Sequence, residues 1–460
     1  MSRQAGMFLG VDAARNRIEL DAADLTTHAV ILGRSGSGKT GLTIALLEEV
    51  AKSGASALVL DPKGDLTNLA LPLTTQEEFA AWVEAGVDPR QTFMRQRAGL
   101  AMSGLSYDDV MAYKRAVDVT IYAPGKTEGG GRAVNVFPTF QPPRSGDLAT
   151  LRARASRDVD TVISAVGQGK DKYNPAIVFL SEAVVQSWRS RRPLPVENWP
   201  TLLTQPPSTL ATFGGMQLED FFPKRQRNAL ARALVGFRHQ ADRWLHGENL
   251  DLHRLASGRP QLAVMTMRHL SEDDRLFFTS AVMNRVVDFM FETASSLRLK
   301  LIVALDEARG YLPPHPYNPP TKGPIGTILA QGRAQGIGMV IGTQNPMDLD
   351  YKALSNVGTW LVGRLRSRDM ARDLEQELRA RGVDLATVEN MAQRQFLLLD
   401  KRGGHHDLRV RHTLNYLRGP LGIQELAKLT QPEAEELVFG LFRRLKRPEG
   451  YRRRLFGFLN

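Results

Sequence analysis

Eight consecutive residues near the start of the chain, GRSGSGKT from Gly33 to Thr40, fill the pattern G-x-x-x-x-G-K-[ST]. An apolar run, HAVIL over 28–32, precedes them, and a helical pattern over 42–50 follows. That order of strand, glycine-rich turn and helix leaves few folds open. Gly33, Gly36, Gly38 and Gly41, with Ser35 and Ser37 between them, let successive backbone N–H groups turn inward around phosphate oxygens at a helix N-terminus. Lys39 brings a point charge to the β- and γ-phosphates, and the Thr40 hydroxyl can ligate Mg²⁺. The segment reads as a nucleoside triphosphate site. Two near-copies fail the pattern. Gly125-Lys126-Thr127 has Thr120 in place of the first glycine; Gly169-Lys170 has Ser164 there and is followed by Asp171.

Strand-like apolar runs recur over 57–60, 119–122, 262–265, 301–305, 338–341, 359–362 and 395–399, with helical patterns between them. Several are apolar on both faces, as strands of a buried parallel sheet are. The alternation predicts an open α/β sheet whose ligands sit beyond the C-terminal strand ends. Between 145 and 255 the pattern is mainly helical, broken by a proline-rich stretch over 193–207, and reads as a helical insertion. A second proline-rich loop covers 312–324. The strand over 395–399 is expected to form a hairpin with 408–414, with His405 and His406 in the turn. A helix is expected from Thr430 onward, with Pro432 in its first turn. The implied organisation is a short strand or hairpin over 1–25, a core in two parts over 26–144 and 256–415, the insertion over 145–255, and a basic helical tail over 416–460.

The run KLIVALDE over 300–307 delivers two adjacent carboxylates at a buried strand end. Asp306 can hold a water of the Mg²⁺ shell, and Glu307, pointing the other way, can accept a proton from an attacking water. Gln344, just past the strand in GMVIGTQNP, can hydrogen-bond both a γ-phosphate and that water. Asp61 ends another strand in Asp-Pro-Lys-Gly-Asp-Leu, where it serves either the metal shell or an ordinary Asp-Pro-x-Gly turn.

Together GRSGSGKT, VLDPKGDL, LIVALDEARGYLPPHPYNPP and the long block from GRAQGIGMVIGTQNP to RLRSRDMARDL resemble the HerA-like branch of the HerA/FtsK ATPases, over about residues 10–415. The resemblance implies a RecA-like core and a hexameric motor that uses ATP and Mg²⁺ to pump double-stranded DNA. It assigns phosphate and metal binding to Lys39 and Thr40, metal support to Asp306, water activation to Glu307 and sensing to Gln344. It makes Arg333 the arginine finger inserted by a neighbouring subunit, with Arg364 and Arg366 as second candidates. The phosphate loop begins at residue 33, which leaves room before it for a short hairpin over 7–20 and not for the N-terminal β-barrel of many relatives. A nuclease or other effector as partner, in DNA processing or defence against phage, follows by analogy; a ring that scaffolds a partner without moving along DNA is the alternative.

The bulk composition agrees with a large globular chain. A formal charge of +11 favours a polyanionic partner. Seven positive residues fall in LFRRLKRPEGYRRR over 441–454, either a solvated tail or a nucleic-acid contact. With no cysteine, disulfides and thiol chemistry are excluded. No apolar stretch approaches about 18 residues, and the N-terminus lacks a signal-peptide pattern, so a cytoplasmic location is expected. The loop 125–132 and Lys322 are candidate backbone contacts for DNA, and little base readout is expected of a motor that accepts any sequence.

Overall fold

The computed structural model describes residues 6–125, 130–143, 147–166, 174–241, 247–366 and 369–430. Residues 126–127 and 169–170 and the basic stretch 441–454 lie outside them, as does any helix beyond Thr430. Eleven strands form one sheet: β1 (Met7–Val11), β2 (Arg17–Leu20), β3 (Ala29–Leu32), β4 (Ser56–Asp61), β5 (Asp118–Tyr122), β6 (Gln261–Thr266), β7 (Leu301–Leu305), β8 (Ile337–Thr343), β9 (Thr359–Val362), β10 (Gln395–Leu399) and β11 (His405–Val410). Their spatial order is β2-β1-β11-β10-β9-β3-β8-β7-β4-β6-β5. The stretch from β9 to β5 is parallel throughout, while β10, β11, β1 and β2 continue it as antiparallel strands. Every apolar run singled out in the sequence is a strand of this sheet. The chain has the RecA-like P-loop fold expected of it.

Burial follows from this layering. β3, β4, β7 and β8 are buried along their whole length, because both faces of the sheet are covered. One face carries α1 (Lys39–Lys52) and the helical segment that ends at Ala116. The other carries α5 (Glu272–Glu292) and α6 (Lys322–Gln331). The start of α5 is written into its sequence. Ser271 accepts the Asp274 N–H as the N-cap, and Glu272, Asp273 and Asp274 face the positive end of the helix.

The inserted region forms its own core around Phe140, Phe179, Trp188 and Trp199, from α2 (Leu148–Ala165), α3 (Pro175–Arg189), the short helix Trp199–Thr204 and α4 (Lys224–Ala241). It docks on α5 through polar contacts. Arg157 Nη2 pairs with Asp288 at 2.5 Å, Arg154 Nη1 with Glu292 at 2.6 Å, and Asn284 Nδ2 donates to Thr161 Oγ1 at 2.8 Å.

One local expectation needs correction. The hairpin strand is His405–Val410, so His405 and His406 lie in β11 and the turn occupies 400–404. Asp400 makes that tighter turn, accepting the N–H groups of Arg402 at 2.7 Å and Gly404 at 3.0 Å. A helix over Ile423–Thr430 runs to the last of the described residues, and the helix expected from Thr430 onward lies outside them. Among the described residues no group of His, Asp or Glu is arranged to hold a metal on its own, and no helix is long and apolar enough to cross a membrane.

Arg411, just past β11, is fully buried and ties the antiparallel flank to α1. Its Nε donates to Phe8 O at 2.9 Å, Nη1 to His412 O at 2.8 Å and Nη2 to Ala45 O at 3.1 Å. Nη2 also bonds Glu49 at 3.0 Å, and Nη1 stands 2.8 Å from Glu48 as an ion pair without hydrogen-bond alignment. Removing one partner from such a cluster leaves buried carboxylates uncompensated. Arg411→Met should therefore lower unfolding free energy by about 3–5 kcal/mol. Urea denaturation checks this, and an unchanged midpoint would show that the cluster contributes nothing net.

Candidate active site

Four neighbouring parallel strands, in the order β3-β8-β7-β4, end on the same edge of the sheet. Each releases a polar loop there: the glycine-rich turn after β3, Gln344 after β8, Asp306 and Glu307 after β7, and Pro62-Lys63-Gly64 after β4. The pairings Leu32 with Thr343, Ile341 with Leu305 and Leu305 with Leu60 set these loops side by side. Residues far apart in sequence thus become one site through strand register.

The glycine-rich turn takes its shape from backbone conformation. Gly38 caps α1 at φ 96, in the left-handed region, so the first N–H groups of the helix open toward a cavity. That cavity, about 420 Å³, is lined by Ser35, Gly36, Gly38, Lys39, Thr40 and Gly41, and across from them by Lys63, Asp306 and Gln344. Gly33 and Ser37 sit beneath it. Gly33 N–H donates to Thr343 O at 3.3 Å, and a side chain on Gly33 would collide with Ser37 Oγ. A wider cleft of about 980 Å³ opens beside the cavity and shares Arg394 and Arg411 with it, but its lining includes no phosphate-loop residue. The chemistry belongs to the smaller cavity.

At this cavity Lys39 Nζ and Asp306 Oδ1 in the lining, and Ser37 Oγ beneath it, are buried polar atoms without a hydrogen-bond partner among the described residues. Buried polar atoms are ordinarily satisfied, so their alignment around one cavity points to a ligand. A buried ammonium fits phosphate oxygens. A carboxylate oxygen opposite a hydroxyl, Asp306 and Thr40, fits a hydrated divalent cation. The donor set therefore suits a nucleoside triphosphate with Mg²⁺.

Glu307 is the most heavily engaged group. Its Oε2 accepts Lys63 Nζ at 2.5 Å and Gln344 Nε2 at 2.8 Å, and Lys39 Nζ lies 3.9 Å away. Its backbone adopts φ 65, uncommon for a residue with a side chain. Burial acts to raise the Glu307 carboxyl, but the Lys63 hydrogen bond, Lys39 and Gln344 outweigh it and hold it below the ordinary glutamate value. Asp306 is shifted the opposite way: burial raises it against the pull of Lys39 and Lys63. Burial likewise lowers Lys39, with Asp306 and Glu307 opposing. Adjacent carboxylates in unlike surroundings are thus pushed apart, the pattern of sites with divided acid–base roles.

Lys39, Thr40, Asp306, Glu307 and Gln344 come together here; Asp61 and Arg333 do not join them. Asp61 is fully buried, and its oxygens accept the N–H groups of Gly64 at 2.7 Å and Leu66 at 2.8 Å. It shapes the loop that carries Lys63, while burial and nearby Asp306 push its carboxyl up to about 7. Arg333 lies in the turn before β8, at the opposite edge of the sheet. The seven residues of β8 separate it from Gln344, a span of roughly 20 Å. Arg364 stands near the glycine-rich turn, where its carbonyl accepts Arg34 N–H at 3.1 Å, and both Arg364 and Arg366 are exposed.

Sequence reasoning missed two residues. Lys63 was passed over as part of a turn. Arg394 N–H donates to Ser37 O at 2.8 Å, and Arg394 Nη2 to Val410 O at 2.7 Å, which presses the loop before β10 onto the glycine-rich turn. Nothing in its local sequence marks it.

Residues 6–113 match the family described as helicase HerA, central domain. That segment holds the glycine-rich turn and the loop that carries Lys63, and over it the chain is similar to that family. Outside that segment the likeness is one of fold. VirB4 of Thermoanaerobacter pseudethanolicus superposes with a TM-score of 0.52 at 13% identity, covering 89% of this chain and 97% of that one. The bacterial conjugative coupling protein TrwB gives 0.55 at 14% identity, covering 92% of each chain. The same protein has been solved with ADP and Mg²⁺, where the TM-score is 0.53 at 12% identity, covering 91% of this chain and 92% of that one. No curated protein matches the sequence.

A Cβ added to Gly38 would lie 3.1 Å from Arg394 N, and the residue's φ is one that side chains rarely adopt. Gly38→Ala should weaken nucleotide binding by about tenfold or more while leaving the melting temperature within a few degrees. Titration with a fluorescent ADP analogue measures this. Unaltered affinity would mean that the turn tolerates a different path.

Proposed function

We propose that the chain is an ATP-driven ring motor, a hexamer, that moves along double-stranded DNA. The observation that supports this most is the convergence of Lys39, Asp306, Glu307 and Gln344 at adjacent strand ends, with the HerA match over residues 6–113 beside it. Mg²⁺, held through Thr40 and Asp306, supplies charge neutralisation on the phosphates when bound. Lys39 Nζ meets the β- and γ-phosphate oxygens, replacing the acceptor it lacks. Glu307 accepts a proton at Oε2 from the attacking water. Gln344, already bonded to that oxygen, orients the same water with its amide. Arg333, exposed and out of reach in its own chain, is supplied to the γ-phosphate of a neighbouring copy. Excess positive charge favours DNA, with contacts to phosphates and not to base edges. A nuclease or other effector working beside the ring, in DNA processing or phage defence, completes the proposed setting.

Steady-state ATP turnover with and without long duplex DNA tests the proposal. Duplex should stimulate turnover, and the stimulation should weaken as salt rises. Glu307→Gln should lower kcat by about 10²–10⁴ while retaining ATP binding. A rate that ignores DNA but still collapses in Glu307→Gln would indicate a ring that scaffolds a partner instead. Mixing subunits addresses the neighbour contact separately. Arg333→Ala chains should bind ATP normally, lose up to about 10³-fold or more in turnover, and suppress wild-type chains with which they are mixed. Unchanged turnover would remove Arg333 from the mechanism and turn attention to Arg364.

A further inference from the structure

The ion pair between Lys63 and Glu307 is a second feature of this site, one that no phosphate-loop pattern contains. Lys63 is placed by a built loop. Asp61 clamps the backbone at Gly64 and Leu66, Thr67 Oγ1 donates to Gly64 O at 2.6 Å, and Gly64 turns the chain at φ 88. The ammonium emerges into the same cavity as Lys39 and is 38% exposed, against 8% for Lys39. It is therefore free to move within the cavity, as the buried Lys39 is not. Its partner is the oxygen on which Gln344 also converges. The Lys63 ammonium and the Gln344 amide both bond Oε2 and hold the carboxylate in that orientation, where it is a weaker base toward water than it would be with Lys63 withdrawn.

We propose that Lys63 is a positioning residue that restrains Glu307 while the cavity lacks a γ-phosphate, and releases it by exchanging that carboxylate for a γ-phosphate oxygen. The proposal rests on the reading of Glu307 as the water-activating base. Both anions lie within reach of one mobile cation, and the triphosphate carries the higher charge. A diphosphate ends short of the exchange position and leaves the pair intact. The base is thereby withheld until a hydrolysable nucleotide is in place, and is held again after phosphate leaves. Ligands shift such an equilibrium only through their differential interaction with the two arrangements, and the terminal phosphate provides that difference.

A double-mutant cycle on binding tests the exchange. Dissociation constants for ADP and for a non-hydrolysable β,γ-imido triphosphate are measured on the full chain, for wild type, Glu307→Gln, Lys63→Met and the double variant. With Lys63 present, Glu307→Gln frees the ammonium and should tighten the triphosphate analogue by about tenfold relative to ADP. With Lys63→Met, the same substitution should change that ratio by less than about twofold. Lys63→Arg keeps the charge and should retain the coupling, and a melting temperature within a few degrees of wild type shows that each variant is folded. Equal tightening in both backgrounds, or none in either, would overturn the exchange. ATP turnover by Glu307→Gln is read separately: wild-type turnover there would remove Glu307 as the base, whatever the binding cycle shows.

Discussion

Charge held at a nearly dry sheet edge is the constraint on which the rest of the structure depends. Lys39 and Asp306 are buried with atoms unsatisfied, and Glu307 beside them is only partly open to water. Such groups repel, lose hydration and gain little from the chain itself. They stay in place because the strands beneath them have no freedom to move. β3, β8, β7 and β4 are apolar on both faces, hydrogen-bonded to neighbours on both sides, and sealed between two helical layers. The apolar character of those runs is thus part of the chemistry. It supplies the rigidity that keeps like and unlike charges within a few ångströms until a phosphate arrives.

The flank of the sheet adds a second support. α1 begins at Lys39 and is anchored near its other end, where Glu48 and Glu49 meet Arg411. Through Arg411 the helix is joined to β1 and to the chain after β11, and through Arg394 the loop before β10 presses on the glycine-rich turn. The antiparallel strands therefore do more than widen the sheet. They brace the nucleotide helix from the side away from Glu307. The inserted bundle docks on α5, over the opposite face, through arginine–carboxylate pairs and an Asn284–Thr161 hydrogen bond. Phe277 of α5 adds apolar packing against Phe137 and Phe237, and the contact involves neither Lys39 nor Gln344.

How far the site was legible in the sequence depends on the distance over which each residue acts. Gly33 to Thr40 announce themselves because the phosphate cradle is local: one turn and the start of one helix make it. Asp306 and Glu307 are legible because a buried strand rarely ends in two acids. Lys63 is not, since its significance lies in a contact 244 residues away that only the pairing of β4 with β7 creates. Asp61 shows the converse. Its position at a strand end suited either metal support or an ordinary turn, and the nearest donors, two N–H groups of its own loop, took both oxygens. The turn before β11 moved for the same reason, when Asp400 captured nearby N–H groups ahead of the expected strand register.

Arg333 carries the argument beyond one chain. The parallel strands that gather Lys39, Glu307 and Gln344 at one edge also send the residues before β8 to the other, so no side-chain rearrangement within the fold can bring the two together. The cavity is lined by Lys39 and Lys63 together with Arg34, Arg394 and Arg411, and Arg333 is not among its residues. In the ring proposed above, copies would pack edge to edge, with the edge that carries Arg333 in one facing the edge that carries Glu307 in the next. Repeating a contact of that head-to-tail kind gives a ring where the rotation closes. The polarity of a parallel sheet, set by the same apolar runs that bury Asp306, thus keeps Arg333 away from the cavity of its own chain, and the proposed ring is the arrangement that would give it a role.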